Sequence, residues 1–517
     1  MFKIKKHKKI TNCNSFDSTD NNAPAAGQTL FKTLEENIAL FKDLFNNDET
    51  FLIRYFENNK NSNIKLCALF IDGMIKTEIV NEYIIKPVMV STSLDNSKDT
   101  FCNIFNHVLE SNNLKKSSDS AELAQAIVVG DTVLLMEGYS EAIIVSSKGW
   151  KSRAIEEPDS EKNIRGPREG FTESLLENLS MIRRKLATNN LKFKFRKLGV
   201  QSGTKVCISY IDGIANGQIL AELNKRLDTI DIDGILATGT ITELIKDAPL
   251  SPFKTIGSTE RPDVVAARLL EGRIALLMEG SPIAITVPHV FIESFQSNED
   301  YYINFYFSSV NRLIRFVSFL LSISMPAVYI SLTTFHQEML PTPLIRSISA
   351  ARQSVPLPTV IEILLLLLTF EILREAGTRM PSNIGQALSI VGALVLGQAA
   401  VEARFVSSPV VIIVALTAIT SLGIPRLNGV LITIRLILLF FSSIIGLYGY
   451  MFGMIGLVIH LLELRSFGVP YMLGLMNITK ADLMDTAIRA PWPYMKYRPK
   501  FMTSNNRIRM NSRGTRK

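Results

Sequence analysis

Six ionisable residues stand in or beside aliphatic runs in the second half of the chain. Glu362, Glu371, Arg374 and Glu375 lie in the stretch from Pro356 to Pro381, and Glu402 and Arg435 follow. A carboxylate or guanidinium at the centre of a lipid bilayer costs on the order of 3 kcal/mol or more unless it faces protein or water. The chemistry such groups offer is ion passage or gating, as in a channel lining, not bond making. On a helix Glu371 and Glu375 share a face, and Glu371 and Arg374 have the i,i+3 spacing of an ion pair. Glu402 and Arg404 read as an interfacial pair. Arg435 either snorkels to an interface or points inward. The competing reading of Glu362, Glu371, Arg374 and Glu375 is interfacial pairing outside any pore.

The elements that must position them are apolar segments. Val360 to Leu373 covers only roughly 20 Å as a helix, against a hydrocarbon core of about 30 Å. This leaves it partial, interfacial or re-entrant. Longer apolar segments surround it. Phe316 to Ser331 follows Arg312 and Arg315 and is interrupted by Pro326. Ile384 to Val401 is rich in Gly and Ala, and Phe405 to Leu422 ends at Gly423. Val430 to Leu462 would reach about 50 Å as one helix, so it must tilt, protrude or break, most easily among Gly446, Gly449, Gly453 and Gly456. With both basic ends cytoplasmic the number of crossings is even. Four is favoured, and six follows if the last block breaks.

The chain has 517 residues, a net charge of +8 and a mean hydropathy of +0.19. That length asks for two or three domains. Charge collects in an N-terminal lysine arm and in the tail after Arg465, without a nucleic-acid-binding motif. No apolar segment follows the basic start, so no cleavable signal peptide is expected. Cys67 and Cys207 fall in predicted strands and read as buried, reduced thiols.

The first half is a duplication. A helix carrying Leu34, Ile38, Phe41 and Phe45 is followed by Lys65-Leu-Cys-Ala-Leu-Phe-Ile-Asp-Gly73. A helix carrying Phe171, Leu175, Leu179, Ile182 and Leu186 is followed by Lys205-Val-Cys-Ile-Ser-Tyr-Ile-Asp-Gly213. Gly130 to Gly138 matches Gly272 to Gly280, each opening a β-hairpin. The fold class expected is a duplicated α/β N-terminal domain, two related mixed-sheet subdomains, followed by an all-α multi-pass transmembrane domain. The division runs 1–30 as a polar leader, 31–150 and 168–295 as subdomains, and 151–167 as linker. It continues with 312–463 as the membrane domain and 464–517 as a basic tail. Each Ile-Asp-Gly is expected to be a turn, with Gly at positive φ and Asp capping the next helix.

No enzyme is indicated. There is no phosphate-binding glycine motif after a strand, and the five histidines stand apart from Cys or acidic pairs, so neither cofactor nor metal is expected. Glu137 and Glu279, ahead of tight turns, read as solvated or turn-bonding residues. Arg165, Arg168 and Glu169 are expected to fix one subdomain against the other.

Several runs together resemble the A subunit of the GerA-type spore germination receptors. They are Arg165-Gly-Pro-Arg-Glu-Gly-Phe171, Leu340-Pro-Thr-Pro-Leu344, Val355 to Glu362, Phe370 to Ser382, and Gly385 through Gln398 to Glu402. The resemblance implies a multi-pass protein of the spore inner membrane with both termini cytoplasmic, forming an oligomeric, nutrient-gated ion channel. Its implied partners are a transporter-like B subunit, a lipid-anchored C subunit, membrane lipid and further copies of itself, with no nucleic acid. The alternatives are a paralogue like stage V sporulation protein AF that supports germination, or a secondary transporter component. An inverted repeat would mark a transporter, and none is found.

Overall fold

A computed structural model describes residues 28–91, 100–111, 113–149, 157–158, 161, 163, 165–380, 392, 395–473, 485–486, 488–499, 501–503 and 506–510. They form two compact units, the first holding most of residues up to 151. The second holds Ser152–Leu186 and Asn190–Lys517 together with the short segment Asn47–Glu49.

The first unit is built on a five-stranded sheet of β1 (Phe51–Glu57), β2 (Lys65–Ile71), β3 (Leu114–Ser117), β4 (Thr132–Met136) and β5 (Ala142–Val145). Their order is β1-β2-β4-β5-β3. β4, apart from Thr132, and β5 are apolar throughout, and both are buried on both faces. One face packs on helices Leu34–Leu44 and Ser120–Val129 through Phe41, Leu123 and Ile127. The other packs on the helical segments between Thr77 and Val108 through Ile84, Val88 and Ile104.

The second unit repeats this sheet with β6 (Leu191–Leu198), β7 (Thr204–Ile211), β8 (Gly257–Thr259), β9 (Ile274–Met278) and β10 (Ala284–Val287), in the order β6-β7-β9-β10-β8. The register repeats as well. Cys67 pairs with Leu135 and Leu66 with Met136, while Cys207 pairs with Leu277 and Val206 with Met278. Burial pushes the Cys67 thiol up to about 12 and the Cys207 thiol further, so both stay protonated.

Where alternating helices and strands suggested a mixed sheet, every pairing observed is antiparallel. The reason lies in the hairpins. β3 and β4, like β8 and β9, run the same way across a helix, but β5 or β10 folds back between them and takes both edges.

The Ile-Asp-Gly turns carry φ of 80° at Gly73 and 75° at Gly213, the left-handed region that favours glycine. Asp72 and Asp212 do not cap the next helix. Each side chain accepts from the backbone N–H of the glycine beside it, 2.9 and 3.0 Å away. The capping is done by the glutamates read as turn residues. Glu137 accepts from Leu34 N–H at 2.9 Å and Glu279 from Leu175 N–H at 3.1 Å, at the first residue of each subdomain's first helix. Orphan amides and the positive end of the helix both favour a carboxylate there.

In the second unit the remaining sheet face does not end in solvent. Ile208, Leu276 and Val287 share one continuous apolar cluster with Phe291, Phe295, Phe319, Ile323, Ile434 and Leu438. The sheet is thereby packed into the base of the helical bundle. Among the described residues, two helical runs, Phe305–Phe335 and Pro425–Ile445, are long and apolar enough to cross a membrane. Helices Thr359–Arg379, Ser408–Leu422 and Leu447–Glu463 stand with them. The apolar block 430–462 is broken at Gly446, whose φ of 65° and ψ of −136° admit glycine and few other residues. Residues 381–391, 393 and 394, which carry much of the span expected over 384–401, lie outside the described residues, as do 1–27 of the leader.

Candidate functional site

Pro326 decides the local chemistry of the bundle. It sits inside helix Phe305–Ile330, has no N–H, and so leaves the carbonyl four residues earlier without its helical donor. That carbonyl belongs to Ser322. Arg435, on helix Asn428–Ile445, supplies the missing donor, with Nε 2.9 Å from Ser322 O and Nη2 2.8 Å from Ser322 Oγ. The side chain is 2% exposed. Arg435 therefore points inward, and snorkelling does not occur.

Its remaining nitrogen turns toward a third helix. Arg435 Nη1 lies 3.6 Å from Glu371 Oε1, and Glu371 Oε2 lies 2.5 Å from Arg374 Nη2. One carboxylate thus stands between two guanidiniums, one from its own helix and one from a neighbour. In surroundings of low dielectric the attraction is stronger than in a surface pair, and the desolvation of the charges offsets much of it. Glu362, at the start of helix Thr359–Arg379, is 0% exposed. Its Oε2 accepts from both the backbone N–H and the hydroxyl of Ser407, each at 2.8 Å, just ahead of helix Ser408–Leu422. A carboxylate at that helix start meets orphan amides and the positive helix end.

Of the six residues singled out, Glu371, Arg374 and Arg435 come together, and Glu362 is fastened separately on the same helix. Glu375 does not share in this. It pairs with Arg379 at 2.7 Å on an exposed face. Glu402 is exposed and accepts from Gln398 at 3.0 Å. At the junction of the linker and the second subdomain, Glu169 pairs with Lys185 at 2.6 Å and approaches Arg184 at 3.9 Å, whereas Arg165 and Arg168 are exposed.

A second polar network has no counterpart in the sequence reading. Arg312 and Arg315, expected only as charged flanks of a span, close on the buried Asp300 at 3.1 and 2.8 Å. Arg312 also reaches Asp485 of the tail at 2.9 Å. Next to it, Glu293 accepts from Arg268 at 3.0 Å and from His289 at 3.1 Å, and contacts Arg273. Burial alone would raise the Glu293 carboxyl, but Arg268, Arg273 and His289 hold it well below the usual carboxylate range. Only the i,i+4 spacing of His289 and Glu293 was a signal available beforehand. Among the described residues no group of His, Cys, Asp and Glu is arranged to hold a metal ion.

A family model described as "Bacillus/Clostridium GerA spore germination protein" matches residues 39–501. The chain belongs to the GerA spore germination protein family. Spore germination protein KA of Bacillus subtilis (strain 168) is 40% identical over 92% of this chain and 88% of its own length. The uncharacterized membrane protein YfkQ of the same organism is 40% identical over 84% of this chain and 85% of its own. The crystal structure of the N-terminal domain of the A subunit of the Bacillus megaterium spore germinant receptor GerK3 is 31% identical. It aligns with 51% of this chain and 98% of that one at a TM-score of 0.39. Within the GerA family, then, this chain is of the receptor A-subunit type.

The Pro326 and Arg435 pairing makes a sharp prediction for this GerA-family bundle. Arg435→Leu leaves the Ser322 carbonyl unsatisfied and Glu371 short of a partner, which is expected to lower stability by about 1–3 kcal/mol. In a Pro326→Ala background the helix regains its own donor, so the same substitution should cost less by about 0.5–2 kcal/mol. Thermal unfolding of the four proteins in detergent measures the cycle. Additive losses would mean that Arg435 does not serve the carbonyl freed by Pro326.

Proposed function

We propose that this chain is the A subunit of a nutrient germinant receptor in the spore inner membrane, several copies of which form a ligand-gated ion channel. Glu371, held between Arg374 and Arg435, is its gate element. The observation that carries this reading is the shared carboxylate. The 2.5 Å pair within its helix and the 3.6 Å approach across helices engage its two oxygens at once, and gating would strengthen one at the expense of the other, moving helix Thr359–Arg379 against helix Asn428–Ile445. The outer face of helix Thr359–Arg379 exposes Leu364, Leu368 and Ile372, which suits packing against lipid or a second copy.

The relative named as a membrane protein and the two long apolar helices support a membrane location. The break at Gly446 and the continuous 21-residue helix Thr359–Arg379 support six crossings over four, with both basic ends cytoplasmic. The leader, two α/β subdomains, linker, membrane domain and tail are proposed as the working parts. Glu169, at the start of the second subdomain, pairs with Lys185 of that subdomain's first helix and so fixes the chain where the linker ends, with Arg165 and Arg168 near it in sequence. The partners proposed are the transporter-like B subunit and the lipoprotein C subunit. Glu362 braces the gate helix through Ser407, while Glu375 and Glu402 stand at its exposed margins.

The test is nutrient-triggered cation release from spores carrying Glu371→Gln or Glu362→Gln in a chain that still accumulates in the membrane. Coupling free energies of about 1–3 kcal/mol translate into changes of roughly 5- to 150-fold. Loss of the gate pair should change the release rate or its nutrient threshold within that range. Unchanged release and selectivity in both variants would remove these residues from the pathway.

A further inference from the structure

The tail folds back on the second α/β subdomain, and the two line a partly open cavity of about 100 Å³. One wall carries Lys496, Arg498 and Arg509 from the tail. The lining also carries three carboxylates, Glu271 and Glu293 of the subdomain and Asp485 of the tail, and protein already occupies each of them. Glu271 pairs with Arg268 at 3.3 Å and Arg273 at 3.2 Å, Glu293 is held as described, and Asp485 is taken by Arg312 at 2.9 Å and the Tyr301 hydroxyl at 2.8 Å.

The tail cations are not balanced in this way. Arg498 donates to the carbonyl oxygens of Leu270 at 2.8 Å and Ile508 at 2.7 Å, neutral acceptors that leave its charge standing. Arg509 lies over the ring of Trp492, 5.2 Å from its centre. Among the described residues, neither Lys496 nor Arg509 has a carboxylate partner. Three half-buried cations around a concave space form a region of positive potential that attracts an anion. A space of about 100 Å³ has room for a small tetrahedral oxyanion. Guanidinium forks match phosphate oxygens in pairs, and an ammonium adds a point charge beside them.

We propose that this cavity binds a small oxyanion of the phosphate class, held by Lys496, Arg498 and Arg509. Two sources offer that chemistry, free inorganic phosphate and the headgroup of an anionic phospholipid. A ligand there ties the tail to the second subdomain and so to the base of the first membrane helix, through Asp485 and Arg312. The site shares no residue with the gate element proposed above.

The experiment uses the full chain in phosphatidylcholine nanodiscs, with Lys496→Gln/Arg509→Gln beside the parent protein. Equal unfolding midpoints without added anion establish that the variant is folded. If they differ, Lys496→Gln alone is used. Millimolar phosphate should raise the parent's midpoint by mass action and should bind the variant at least about tenfold more weakly. If the source is lipid, phosphatidylglycerol in place of added phosphate gives the same shift, again diminished in the variant. An equal response of parent and variant in both arms, or an equal shift from chloride at matched ionic strength, would overturn the proposal.

Discussion

Gly449→Ala is expected to destabilise the bundle severely, and Gly449→Leu to prevent the chain from accumulating in the membrane. A β-carbon built at Gly449 falls 2.1 Å from the Phe441 carbonyl oxygen and 2.6 Å from its carbon. Both are backbone atoms of the preceding helix and cannot rotate away. The two helices joined at Gly446 would have to separate by more than 1 Å, which undoes the contact of Gly453 with Leu438 in the same seam. Overpacking by a methylene in a side-chain core costs about 1–3 kcal/mol, and a clash with backbone lies at or beyond the upper end. Glycine in this seam serves the close approach that holds membrane helices together where the hydrophobic effect cannot. Gly456 provides the control, since a β-carbon there meets nothing within 4 Å. Gly456→Ala should be neutral or slightly stabilising. Membrane-fraction abundance and thermal unfolding in detergent measure both, and equal stability of the two alanine variants would contradict the tight seam.

The second large effect is expected at Glu293. Its carboxylate is 3% exposed and serves Arg268, Arg273 and His289 at once. It also accepts from Val290 N–H at 2.8 Å. Glu293→Gln leaves the buried Arg268 and Arg273 to share the single carboxylate of Glu271, and breaking a buried pair in this way typically costs up to about 3–5 kcal/mol. The same arrangement sets a pH dependence. Because the folded-state pKa of Glu293 is depressed below its unfolded value, the unfolded chain binds the proton more readily. The pair's contribution is therefore complete above the unfolded carboxylate range, near pH 4.3. It is lost as pH falls from there toward the folded pKa. Unfolding midpoints of the parent should drop on acidification through that range, and the Gln variant should begin lower and fall less. Parallel curves for the two proteins would show that Glu293 does not govern acid stability.

Much of the fold was readable in the chain. The repeated Lys-x-Cys and Leu-Leu-Met-Glu-Gly runs mark two copies of one sheet because strands buried on both faces need continuous apolar residues. The matching register of Cys67 with Leu135 and Cys207 with Leu277 follows from them. Helix faces such as Leu34, Ile38 and Phe41 were legible for the same reason, since local periodicity states which side is buried. Strand direction was not. Whether β5 returns between β3 and β4 depends on which edge the hairpin finds, and no local pattern records that choice.

The candidate site divides along the same line. The sequence by itself determined that Glu362, Glu371, Arg374 and Arg435 sit in apolar surroundings and cannot face lipid unpaired, because the cost of burying charge depends only on residue type and neighbourhood. It determined too that Glu371 and Arg374 can pair, an i,i+3 relation internal to one helix. Only the tertiary structure decided that Arg435 completes the carbonyl freed by Pro326, more than a hundred residues earlier in the chain, and leans on Glu371. Only the tertiary structure separated Glu375 and Glu402 onto exposed faces, and closed Arg312 on Asp300 and Asp485. Pairing between distant segments is set by how helices cross and which groups burial leaves unsatisfied, and those are properties of the packed chain.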